Sequence, residues 1–137
     1  MAQITEDYVS FETAQLLKEK EFDVECDYLY VDGKLVRAHG GACNWNDGET
    51  LFADYKNECS APTLQMAMKW LREIHNIIII VRLFNSAEHF YLGEPNQFTI
   101  DVATTTMSSQ KGHIRAIYST YEEACEAGIK YCLENLI

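Results

Sequence analysis

Between His39 and Asp47 the chain reads HGGACNWND, which places a nucleophile, a base, two glycines and an indole ring in one short stretch. Cys43 becomes a strong nucleophile only if a base or a positive field lowers its thiol pKa, and His39 can serve if the loop folds back. Trp45 and Asp47 are the binding candidates of the same loop, taken over residues 39–49. The plainer reading is a surface connection built from small turn residues. His and Cys four apart in a loop form no catalytic signature, so the spacing favours the plainer reading.

Metal chemistry finds little support. The four histidines and five cysteines form no Cys-x-x-Cys or His-x-x-x-His pair. Cys125 and Cys132 share a helical stripe, but seven residues of helix separate them by about 10 Å. One ion cannot bridge that gap at bond lengths near 2.3 Å, so they read as small core residues. Asp23, Glu25 and Asp27 lack the spacing of a calcium loop and read as a solvated face. No glycine pattern for phosphate is present. No metal and no cofactor is expected.

The charge narrows the partners. Against 11 basic residues stand 21 acidic ones, a net charge of −10. Such a surface repels phosphate backbones and anionic membranes, so direct nucleic-acid binding is not expected. The longest apolar run, Ile77–Val81, is too short to span a bilayer. The start, MAQITEDYVSF, does not read as an export signal, and an odd number of cysteines suits a reducing compartment. The expectation is a cytoplasmic protein whose 137 residues form a single domain.

The elements that must position these residues are more legible. Ser10 caps a first helix, with Phe11, Ala14 and Leu17 at helical spacing and an end near Lys20 or Glu21. In DYLYVDGKLVRAH, Asp32-Gly33 predicts a two-residue hairpin turn pairing Val31 with Lys34, Tyr30 with Leu35 and Tyr28 with Arg37. Gly40–Gly48 reads as a loop and Thr50–Tyr55 as a short strand. A second helix takes Ser60 or Ala61 as cap and Pro62 as its first residue. Its core stripe is Leu64, Ala67, Met68, Leu71, Ile74 and His75, the last placed where a positive charge suits the helix dipole. Met66 and Trp70 share a neighbouring flank that offers an interface.

Asn76 ends that helix, and IIIIVRLF predicts an interior strand covered on both faces. HFYL and QFTIDVA follow as strands joined by a turn around Gly93–Asn96. In QFTIDVA the residues Gln97, Thr99 and Asp101 face solvent. Thr104–Gly112 reads as a polar loop and HIRAIY as the last strand. Thr120 and Glu123 form a capping box for the terminal helix. Its stripe is Tyr121, Ala124, Cys125, Gly128 and Cys132, widened by Ile129, Leu133 and Leu136. Gly128 costs helix propensity and marks a close approach to the sheet. The order predicts an α+β fold: one twisted antiparallel sheet with about three helices packed mainly on one face.

Three segments, YVSFETAQLLKEKEFD, SAPTLQMAMKWLREIHNI and TYEEACEAGIKYCLENLI, resemble a family of short uncharacterised proteins of gut Bacteroidales and their phages. The resemblance covers a third to a half of the chain and is carried by helix starts and core stripes. It implies a shared fold and a phage or mobile-element setting, with no assigned activity and no site residue to carry over.

The leading expectation is therefore a non-catalytic module that works through a protein partner or by self-association, with a homodimer formed on the Met66–Trp70 flank or the tyrosine-rich hairpin. Two alternatives come from other classes. One is an acidic nucleic-acid mimic that occupies a nucleic-acid-binding partner. The other is a cysteine-dependent enzyme using Cys43 and His39.

Overall fold

The computed structural model describes residues 3–47, 58–84, 97–104 and 110–137. Among them the order is α1 (Phe11–Glu19), β1 (Tyr28–Val31), β2 (Lys34–Arg37), β3 (Glu58–Ser60), α2 (Leu64–His75), β4 (Ile77–Phe84), β5 (Gln97–Thr104), β6 (Gln110–Tyr118) and α3 (Tyr121–Asn135). The fold is α+β, but the single sheet expected from the sequence is two three-stranded antiparallel sheets, ordered β2-β1-β3 and β4-β5-β6. The reason lies in α2. It takes the chain from β3 in one sheet to β4 in the other, and Asn76, in the left-handed region at φ 57°, is the single residue between helix and strand.

The hairpin forms in the expected register, Val31 opposite Lys34 and Tyr28 opposite Arg37. Asp32 and Gly33 take φ of 50° and 80°, the positive values that a tight turn of this hand requires. β3 then pairs with the other edge of β1. The strand expected at 50–55, the one at HFYL and the turn at 93–96 lie outside the described residues.

α1 starts as expected, with the Ser10 hydroxyl accepting the Thr13 N–H at 3.2 Å. α2 starts later than the sequence suggests. Its cap is Thr63, whose hydroxyl accepts the Met66 N–H at 3.1 Å. Pro62 therefore precedes the cap, where its carbonyl accepts the Val9 N–H, and Ser60 belongs to β3. Thr120 caps α3 by accepting the Glu123 N–H at 3.1 Å.

The core is shared by the helices and both sheets. α3 packs on all three strands of the second sheet and against α1 and α2. Its stripe Ala124, Cys125, Gly128, Ile129, Cys132 and Leu133 is buried, whereas Tyr121 is exposed. Glu126 ties α3 to the start of α1: its Oε1 accepts the Ser10 N–H at 3.1 Å, the Thr13 hydroxyl at 2.6 Å and the Ser10 hydroxyl. A carboxylate there also meets the positive end of the α1 dipole.

Several burial expectations are corrected. Trp70 is buried, stacked edge-on against Phe22 and His75, so it forms no exposed flank with Met66. Ile74, expected in the core, is exposed. β4 is an edge strand with β5 as its one neighbour among the described residues, and its outer half is exposed. The central strand is β5, where Thr99 and Asp101 are buried instead of solvated. Asp101 is held by Arg82 from β4 at 2.5 Å, which compensates its carboxylate for lost water. Gln110–Gly112, expected in a loop, belongs to β6. Among the described residues no helix is long and apolar enough to cross a membrane.

Candidate functional site

The 39–47 loop is fastened to the first sheet by backbone and side-chain hydrogen bonds. Cys43 and Cys26 form an isolated antiparallel bridge, exchanging N–H···O bonds of 2.9 and 3.3 Å. The Trp45 indole N–H donates to the Cys26 carbonyl at 2.8 Å, and the Trp45 backbone N–H donates to the Ser60 hydroxyl at 3.0 Å. Asn46 adds a clamp. Its side-chain amide donates to the Phe22 carbonyl at 2.9 Å, and its Oδ1 accepts the Ser60 N–H at 2.9 Å. Trp45 is buried by these contacts, while Gly40 and Gly41, at φ of 100° and 110°, let the chain turn into them.

The hairpin register decides what lies beneath the loop. Residues directly opposite one another in an antiparallel sheet share a face. Val36, Leu29 and Ser60 form one such row, and Lys34, Val31 and Glu58 form the next. On the opposite face Leu35, Tyr30 and Cys59 align. There Tyr30 packs on Phe11, and its hydroxyl donates to the Val9 carbonyl at 2.6 Å.

The first face lines a groove of about 520 Å³. Leu29, Val31, Val36 and Trp45 give it an apolar lining, and Glu58 contributes a carboxyl group. Lys34, Arg37 and His39 also border it, and all three are exposed. Glu58 is 5% exposed, and its Oε2 is buried with no hydrogen-bond partner. The nearby Lys18 ammonium donates to the Glu58 backbone carbonyl at 2.8 Å.

The residues singled out from the sequence are thus divided. His39 and Trp45 line the groove; Cys43 does not, although it too is exposed. Asp47 is exposed at the end of the described loop. Met66 is 39% exposed on α2, on a different element from the groove, and Trp70 is core. Glu58 is a groove residue that the sequence does not single out. Its signal is faint: a lone carboxylate at the start of the three-residue β3, just after the short strand expected at 50–55.

The remaining thiols are inert by environment. Burial pushes Cys26 and Cys59 up to about 11 and Cys132 up to about 12, and it raises Cys125 as well. Among the described residues no group of three or more potential ligands could hold a metal ion. His75 is held below its ordinary pKa by burial, so its charged form is disfavoured there despite the helix dipole. Comparison with protein-family models, with curated proteins and with solved structures finds no match.

Proposed function

We propose that the protein is a non-catalytic interaction module that self-associates through β4. The supporting observation is the state of that edge. From Ile77 to Leu83 the strand pairs with β5 in unbroken register and carries no proline and no bulge. Natural edge strands are guarded by such interruptions or by charge. The only charged side chain of β4 is Arg82, and the Arg82–Asp101 ion pair occupies it. Ile80 and Leu83 stand exposed beside it, at 41% and 52%.

Two copies pairing antiparallel along β4 extend one sheet to six strands and satisfy both edges at once, the closed symmetry common in homodimers. This moves the expected interface away from the Met66–Trp70 flank, because Trp70 is core. The resemblance to short proteins of Bacteroidales and their phages supports a mobile-element setting for the module.

Sedimentation equilibrium tests the reading. The wild-type chain should be dimeric at micromolar concentration, and Ile80→Lys should shift it to monomer with unchanged secondary structure. A wild-type chain that stays monomeric throughout the micromolar range overturns self-association.

A further inference from the structure

The groove under the hairpin carries an inference that does not depend on β4. Glu58 is the key. A carboxyl oxygen buried without a hydrogen-bond partner is costly; Glu58 Oε2 shares that state with Glu126 Oε2 and His75 Nε2, but of the three residues only Glu58 lines the groove. The group is not enclosed in packed core, because Glu58 lines an open groove whose volume falls within the range of small-molecule sites. Ligand sites of that kind combine an apolar lining with a few placed polar groups, and this one does.

Charge placement narrows the ligand. At the β3 side the groove offers a carboxyl group, which calls for a donor and best for an ammonium. On the far side Lys34 offers a cation from β2, whereas Arg37, paired with Tyr28, belongs to the opposite face. Glu58 and Lys34 occupy the same cross-strand row with Val31 between them. Two strand spacings separate their Cα atoms by about 10 Å. A simple amine would leave the Lys34 cation unanswered, and a simple carboxylate would meet Glu58 unfavourably. We infer that the groove binds a small amphoteric molecule, with its ammonium on Glu58, its apolar body over Leu29, Val31 and Trp45, and its anionic end at Lys34.

The test uses three probes of one length: 6-aminohexanoate, hexylamine and hexanoate. Binding is read from the amide shifts of β1 and β2 and from the Trp45 indole N–H. The expected order places 6-aminohexanoate tightest. Glu58→Gln should weaken it about tenfold or more, as expected for losing a charge-assisted hydrogen bond. Lys34→Ala lies at an exposed position and keeps the fold testable if Glu58→Gln does not. It should weaken 6-aminohexanoate and leave hexylamine unchanged. Absence of shifts with 6-aminohexanoate at about 10 mM, a concentration that detects even millimolar affinity, overturns the inference. So does binding that neither variant alters, or hexanoate binding as tightly as 6-aminohexanoate.

Discussion

Gly128 on α3 lies so close to Ile79 on β4 that a Cβ placed on it would stand 2.8 Å from the Ile79 Cγ2. The same atom would stand 3.3 Å from the Cγ2 of Ile100, which is fully buried on the central strand. The missing side chain is what lets the helix seat on both strands.

Gly128→Ala therefore sets two effects against each other. Alanine improves helix propensity by about 1 kcal/mol. Forcing a methyl group into a filled core costs about 1–3 kcal/mol. The contacted atoms are branched methyls close to their own backbones, so they cannot swing aside as the end of a long chain does. We expect net destabilisation of about 1 kcal/mol, measured by urea unfolding. Adding Ile79→Ala should recover part of the Gly128→Ala loss relative to the sum of the two single changes. A Gly128→Ala protein more stable than wild type would show that α3 can lift from the sheet at little cost.

That close approach is legible in the sequence, whereas other features of the fold are not. Gly128 interrupts an otherwise apolar stripe, and a helical stripe reports burial directly. The hairpin was equally local: Asp32-Gly33 fixes the turn, and the turn fixes the register. The second sheet was different. Four consecutive isoleucines look like an interior strand, yet β4 sits at an edge and the mixed strand β5 takes the centre. Local composition cannot distinguish these arrangements, because Asp101 becomes tolerable inside only once Arg82 reaches across from β4. The groove failed to show for the same reason. Glu58 matters only because β3 pairs with β1 and so joins Trp45, some way off in sequence, in lining one groove. The loop reading picks out His39, Trp45 and Cys43 together; His39 and Trp45 line the groove and Cys43 does not.

His75 makes stability depend on pH. It packs against Trp70 at a ring distance of 4.6 Å, its Nε2 is buried without a partner, and burial lowers its pKa below the ordinary 6.5. A base with a lowered native pKa binds fewer protons folded than unfolded. Stability from this group is thus complete above the unfolded value and is lost as pH falls below it, until the folded form also protonates. The loss should appear below about pH 6.5 as a fall in the urea midpoint. In His75→Gln that segment of the pH profile should flatten. An unchanged profile would mean that other groups govern acid stability.

Thiol labelling separates the proposed module from the cysteine enzyme. Of the five cysteines only Cys43 is exposed, and burial raises the pKa of the other four. At neutral pH iodoacetamide should modify one thiol per folded chain, at Cys43, and all five after unfolding in guanidinium. The informative quantity is the rate at Cys43 before and after His39→Ala. A histidine that activates a cysteine raises its thiolate fraction, so its removal should slow alkylation about tenfold or more. The geometry gives His39 a different occupation. It borders the groove with Trp45, and Cys43, committed by its backbone to Cys26, lies outside that lining. The expected result is therefore an equal rate in both proteins. A rate that collapses in His39→Ala would reverse the assignment and place the chemistry of this chain in the loop.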